Sequence, residues 1–318
     1  MAFFKTNNIA EFQACVPVSV DFSLNRVMNS ILSVGLRWVK PAIGATLYTD
    51  LLTKYTNNSL NANETTAVRL IQMTIANLVI GQDLPLLGSV IDDGGVYMNK
   101  SSEKWVLGEN QLAKAEERYW ERGIDALEDL VSFLNENASN SLFVGYYNSI
   151  QQGLTKELLI GTAEVFSGYY QIWRNALTFW VLKTHLLSVQ RGVITNTLKD
   201  AFDSVVTTGT DANKLELLKM VQEAMVYLGM AQGLRLHRVK ISKDAVTVVM
   251  EHNQVRAMQT PALEEMMMLA KNFENIGLAK VAEIEAYLVK YADELGYVLQ
   301  TVTSGGSINK KENGIYMC

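Results

Sequence analysis

The chain carries the same pattern twice. Gly123, Leu127, Leu130, Phe133 and Leu134 recur as Gly277, Val281, Ile284, Tyr287 and Leu288 at one constant offset. Upstream, Ile91 and Val96 correspond to Ile241 and Val246 at a slightly smaller offset. Further upstream, Val68, Leu70 and Met73 correspond to Leu215, Leu217 and Met220 at one smaller again. Offsets that grow along the chain are what a few short insertions in the second copy produce. Two copies are too few for a solenoid, so each module must bury its apolar faces on the other or on neighbours. The opening stretch of each half, roughly 60 residues, aligns poorly, and there the copies are expected to have taken different partners.

Each copy reads as helices, a β-prone hairpin and a further helical stretch. Apolar residues at the helical period run from Leu24 to Trp38, from Ile43 to Tyr55, from Ala67 to Ile80 and from Gln111 to Leu134, with Pro41 bending the first pair. Thr65 or Thr66 is expected to open the Ala67 helix. The second half repeats the theme with a helix from about Tyr146 and one long apolar helix from Ala163 to Val189. Leu198–Val206 and a helix capped by Asp211 and running to Leu228 follow. The β-prone runs near 89–98 and 238–250 each flank a turn signal. A helix opened by Pro261 breaks near Gly277, as its counterpart does near Gly123, and resumes from Leu278 to Leu295. The expectation is a mainly α protein of two tandem helical-bundle modules, each with a short β-hairpin. The modules span residues 1–138 and 139–300, and a flexible C-terminal arm spans 301–318.

Composition narrows the function classes. Charged residues make up only 19% of the chain and the net charge is −5, with no Lys/Arg block. A basic stripe of the kind that grips nucleic acid is therefore missing. No stretch reaches the roughly 18 apolar residues of a membrane span, and Met1-Ala2-Phe3-Phe4-Lys5 lacks a signal peptide's apolar run. Two cysteines, Cys15 and Cys318, make no disulfide framework, which fits assembly in a reducing cytoplasm.

Chemistry is hard to find in the sequence. His185, His237 and His252 stand in no metal-ligand spacing. Gly94-Gly95 and Gly305-Gly306 match no phosphate-binding motif, and Asp92-Asp93 lacks the alternating oxygens of a Ca²⁺ loop. Glu116-Glu117 with Glu121, and Glu264-Glu265, could serve as acid–base pairs, but beside Lys and Arg on helices they read as solvated faces. The expectation is a protein without catalytic residues, metal or cofactor. Surface-forming residues stand out instead: Tyr169, Tyr170, Trp173, Phe179 and Trp180 crowd one stretch, and these residue types are enriched at interface cores. Asn309, Lys310, Lys311 and Tyr316 in the arm complete the interface candidates.

Trp38-Val39-Lys40-Pro41-Ala42-Ile43-Gly44, followed by Leu47-Tyr48 and Leu51-Leu52, resembles an uncharacterised, duplicated family of phage and prophage proteins from gut Bacteroidota. Gly94-Gly95-Val96, Glu116-Glu117-Arg118 and Ala126-Leu127-Glu128-Asp129-Leu130 fit the same family. Its helix–Pro/Ile–Leu–Tyr pattern is in turn similar to the head-to-tail connector (adaptor) proteins of tailed phages. The resemblance implies a virion structural protein at the neck, in a homo-oligomeric ring commonly of twelve copies. Its partners would be the portal protein and neighbouring tail or ring proteins, and DNA would pass through the lumen without specific binding. Such connectors usually carry one module, whereas this chain has two. Another virion position (tail, baseplate or cargo), a non-viral helical interaction protein or regulator, and an enzyme using the Glu-rich helices remain the alternatives.

Overall fold

The computed structural model describes residues 2–298 apart from 6–7, 20–21, 88, 93–94, 99–108, 138–139, 173–174, 207–210, 237–238, 243–244 and 249–262. The fold is mainly helical. The first copy comprises α1 (Ile9–Gln13), α2 (Met28–Val34), a π-helical turn (Gly35–Val39), α3 (Lys40–Ile43), α4 (Ala45–Thr56) and α5 (Ala62–Leu87). Strand β1 (Ser89–Asp92) then pairs antiparallel with β2 (Gly95–Met98), Ile91 opposite Val96, and α6 (Glu109–Glu136) follows. Three short helices, α7 (Val144–Tyr147), α8 (Ile150–Glu157) and α9 (Ala163–Tyr169), lead to the second copy. That copy comprises α10 (Asn175–Val189), a π-helical turn (Gln190–Ile194), α11 (Thr195–Leu198), α12 (Phe202–Val206) and α13 (Ala212–Leu236). The antiparallel pair β3 (Val239–Ser242) and β4 (Ala245–Val248), then α14 (Leu263–Lys290) and α15 (Ala292–Leu295), complete it.

The chain forms two compact units, one of residues 1–184 with 238–256 and one of 185–237 with 257–318. The first unit therefore runs well past residue 138 and takes in α7 to α9 and the start of α10.

The repeat is longer and more regular in the backbone than in the residues. From Ala62 to Ala212, from Ser89 to Val239 and from Met98 to Val248 the offset is 150 residues throughout. Buried positions coincide at that offset: Ala67 with Leu217, Ile71 with Val221, Ile75 with Met225, Leu78 with Leu228. The register read from Val68 and Leu215 is thus corrected, because it pairs apolar residues of unlike burial, buried Val68 with exposed Leu215 and half-buried Leu70 with buried Leu217. For α6 and α14, both 28 residues long, the offset is 154 (Glu109 to Leu263, Glu136 to Lys290).

The openings, which align poorly as residues, also repeat. Both π-helical turns lie at an offset of 155 (Gly35 to Gln190, Val39 to Ile194), and each following helix stops at a positive-φ residue, Gly44 (87°) or Lys199 (47°). A one-residue π bulge sets the phase of the helix on either side of it. Leu24, Val27, Ile31 and Val34 accordingly share burial with Phe179, Leu182, Leu186 and Val189. The contact pattern survives while the side chains change, which hides the repeat from residue matching.

Helix α5 opens with a capping box. The Asn61 side chain accepts from the Glu64 backbone N–H and the Glu64 carboxylate accepts from the Asn61 N–H, each at 3.0 Å, with Lys54 ion-paired to Glu64 at 2.5 Å. The helix thus starts at Ala62, and Thr65 and Thr66 lie in its first turns, their hydroxyls bonded to the Asn61 and Ala62 carbonyls. Residues 74–81 are buried without interruption. The two polar side chains there return hydrogen bonds to the helix, Thr74 to Leu70 O at 2.9 Å and Asn77 to Met73 O at 2.8 Å.

The expected breaks at Gly123 and Gly277 do not occur, since α6 and α14 run through them. These glycines mark where two helices touch. A Cβ on Gly123 would lie 2.6 Å from Leu78 Cγ, and one on Gly277 would lie 2.6 Å from Leu228 Cγ. Real Cβ atoms do not approach that closely, so the bare backbone lets α6 close on α5 and α14 close on α13. The Leu278–Leu295 helix is correspondingly the end of α14 followed by the separate α15, which stops at left-handed Gly296.

Candidate functional site

The long apolar helix expected over Ala163–Val189 is two helices, α9 ending at Tyr169 and α10 beginning at Asn175. What starts the second is a carboxylate far away in sequence. Glu128 on α6 accepts from the backbone N–H of Ala176 and of Leu177, each at 2.8 Å. It satisfies two of the donors a helix leaves open at its N-terminus and places a negative charge at the positive end of the helix dipole.

Around this cap lies a cavity of about 690 Å³ within the first unit. Its apolar wall includes Val131, Ile172, Ala176 and Phe179; its polar wall includes Ser132, Asn135, Gln152 and Thr162. Asn135 Oδ1 accepts from the Tyr146 hydroxyl at 2.5 Å and from Gln152 Nε2 at 3.1 Å, which holds the polar wall in place. Burial raises the Tyr146 phenol to about 12, so it stays a donor across the physiological range.

Lys183 also lines this cavity. It is 5% exposed, and its Nζ lies 5.5 Å from the centre of the Phe179 ring, one turn back on α10. Among the described residues it has neither hydrogen bond nor ion pair. Burial lowers its ammonium group to about 8. The unfolded chain therefore holds this proton more tightly than the folded one, so folding stability from this group rises with pH from about 8 toward the ordinary lysine value. Trp180, on the same wall, has its Nε1–H buried without a hydrogen-bond partner among the described residues.

The Glu128 cap makes a direct prediction. Glu128→Ala should destabilise the first unit by about 1–2 kcal/mol in chemical denaturation, and amide exchange at Ala176 and Leu177 should speed up. Unchanged protection at both amides would show that the cap does not hold the start of α10.

The interface candidates separate on the structure. Phe179 is buried and meets Phe166 edge-on at 6.2 Å, so it belongs to the core of the unit, and Trp180 belongs to the cavity wall. Tyr169 and Tyr170 are half-buried at the end of α9. Trp173, Asn309, Lys310, Lys311 and Tyr316 lie outside the described residues, as do His237, His252 and Cys318. His185 is buried on α10, and Cys15 is half-buried with its thiol raised to about 11 by burial, far from a reactive thiolate. No group of three or more His, Cys, Asp or Glu positioned to hold a metal occurs among the described residues. No helix among them is long and apolar enough to cross a membrane.

A second surface went unnoticed in the sequence. Met267, Leu278 and Val289 on α14 are about half exposed, at 49%, 50% and 58%. Their spacing of eleven residues is about three helical turns, so they share one stripe, which Ala282 and Ala286 extend. In the first copy the counterparts of Leu278, Ala282 and Ala286 are Ile124, Glu128 and Ser132, all half-buried; Glu128 bonds α10, and Ser132 lines the cavity beneath that helix. The signal was there to find: a helix inside a repeat with apolar residues on the face where its twin carries a polar cap.

No curated protein and no solved structure matches the chain. A family model does, over residues 39–155 and again over 180–301, two stretches that each contain one α5-type and one α6-type helix. The match covers most of the chain and repeats as the backbone does: the protein belongs to DUF6712, a family of unknown function.

Proposed function

We propose that this chain is a structural assembly subunit whose copies join head to tail, and that the assembly is the connector ring of a tailed phage, joining portal to tail. The observation that carries this reading is the bare stripe on α14. In the first copy, the equivalent face of α6 is covered by the opening helix of the next module, α10, through Glu128 and the cavity wall. On α14 the corresponding face is exposed, and no helix among the described residues covers it. A second copy of the chain would cover it, its own opening helix α2 standing where α10 stands against α6. Leu24, on the 3₁₀ turn Leu24–Arg26 that precedes α2, and Val27 at its junction with α2 bury inward as Phe179 and Leu182 do on α10, while Asn25 on that turn and Asn29 on α2 are exposed. Two different surfaces meeting in this way form a heterologous contact, which closes into a ring when its rotation allows and runs into a filament otherwise. Duplication within the chain then serves assembly: the first unit offers α2 and the second offers α14. Interfaces of this kind need no cofactor, and the mild negative charge suits a channel that passes DNA without holding it.

The test uses two variants and their mixture. Leu278→Asp with Val289→Asp blocks the α14 face, and Asn25→Arg with Asn29→Arg blocks the α2 face. Each variant alone should be monomeric by light scattering, with unchanged circular dichroism, while wild type forms a closed oligomer seen by electron microscopy. A mixture of the two should yield dimers and nothing larger, because each variant keeps one good face. Wild-type protein that stays monomeric at high concentration and with its neighbouring virion proteins, or a mixture without dimers, would overturn the head-to-tail reading.

A further inference from the structure

We propose that the cavity beneath α10 is a binding site for a small monocarboxylate with an aromatic or aliphatic body, Lys183 holding the carboxylate and the Trp180 indole N–H donating to it. This site is independent of the assembly reading.

The argument starts from the cost of burying an ammonium group. A charge out of water needs a partner or a compensating ligand, and Lys183 is 95% buried and faces a cavity of about 690 Å³ with none among the described residues. Trp180 Nε1 adds a second donor, buried and without an acceptor among the described residues. Ala176, Trp180 and Lys183 follow one another at helical spacing along a single face of α10, so both donors project from the same wall. Two unpartnered donors, one of them cationic, on the wall of one cavity call for an acceptor carrying negative charge.

The remaining walls define what else the ligand carries. Phe179, Ile172, Ala176 and Val131 offer an apolar surface, and the volume falls in the range of small-molecule sites. Three carboxylates also face this space: Glu128 and Glu136 from α6 and Glu164 from α9. Glu128 is engaged by the α10 amides, while Glu136 and Glu164 are exposed at the rim. One ammonium against three carboxylates disfavours a phosphate or a dicarboxylate and admits a single carboxylate placed deep beside Lys183. Helix α8 adds Gln152 and Thr155, which are uncharged.

The depressed lysine then sets a pH signature. Free protein loses the Lys183 proton near pH 8, and a bound carboxylate raises that value, so binding above pH 8 takes up a proton. Titration calorimetry of the full chain with 4-phenylbutyrate and with octanoate is the test, and 4-phenylbutan-1-ol is the uncharged control. At least one acid should bind one per chain, tighter than about 1 mM, with affinity falling from pH 7 to 9.5 and with proton uptake at the upper end. Lys183→Met should weaken binding at least about tenfold and raise the melting temperature, whereas Lys183→Arg should retain binding. Trp180→Phe should weaken it several-fold. Competitive acylation read by peptide mass spectrometry should show the acid protecting Lys183. Failure of both acids to bind wild type, equal binding by Lys183→Met, or equal binding of the alcohol would overturn the assignment. None of these readouts depends on oligomerisation, so this site and the assembly reading stand or fall separately.

Discussion

Phe143→Ala is expected to cost the first unit about 3–5 kcal/mol, lowering its unfolding midpoint by about 10 °C. The ring is completely buried and meets Phe133 edge-on at 5.8 Å, within the same apolar cluster as Leu127, Leu130 and Leu134 of α6. It also sits where the chain turns back after α6. Asn140 caps the turn that carries it, its side chain accepting from the Leu142 N–H at 3.1 Å. Three residues on, Tyr146 reaches back to Asn135. Removing the ring leaves a void between this turn and α6 that those two polar contacts hold open, so little collapse can offset the loss. Phe143→Leu keeps most of the volume and should cost under about 1.5 kcal/mol. Chemical denaturation monitored within the first unit separates the two. A Phe143→Ala midpoint within a degree or two of wild type would show that the turn does not depend on its aromatic anchor.

How much of this was readable in the sequence depends on whether the signal was local. Helix periodicity placed most of the helices, and the repeat was visible where apolar residues recur at α6 and α14. The repeat in the opening segments was not, because Gly35 corresponds to Gln190 and Gly44 to Lys199. What is kept there is a π-helical turn and a positive-φ stop, and neither has a fixed residue signature. Gly123 and Gly277 were found, but their meaning inverted. Local propensity treats a mid-helix glycine as a weak point, whereas its role here is set by a leucine on another helix. The start of α10 was likewise invisible, since the carboxylate that caps it lies 48 residues away from Ala176. The same holds for the candidate sites. Aromatic crowding drew attention to Phe179 and Trp180, but Lys183 between them and the end of the helix read only as an interruption of an apolar run. Its isolation becomes apparent once α6, α8 and α9 enclose it.

The second large effect is expected at the helix–helix contact that the repeat preserves. Gly123→Val and Gly277→Val should each destabilise by roughly 3 kcal/mol or more, at the upper end of what overpacking costs. At Gly123 an added Cβ meets Leu78 Cγ and Cδ2 at 2.6 Å and the Leu78 backbone nitrogen at 3.1 Å. At Gly277 it meets Leu228 Cγ at 2.6 Å, Cδ2 at 2.7 Å and the backbone nitrogen at 3.1 Å. A side chain could swing away from one methyl, but the backbone nitrogen of a buried helix cannot, so α5 and α6 must part. Alanine is the gentler probe: its clash is set against a gain in helix propensity of about 1 kcal/mol. A double-mutant cycle isolates the contact. Leu78→Ala alone should cost about 2–5 kcal/mol, but combined with Gly123→Ala it makes room for the new methyl. The pair should then be less destabilised than the sum by about 0.5–3 kcal/mol. Leu228→Ala with Gly277→Ala should show coupling of the same sign, because the two contacts are geometric twins. Strictly additive free energies in both cycles would mean that neither glycine is held by its leucine. Coupling in one cycle alone would mean that the two copies have kept the backbone geometry but not the energetics that go with it.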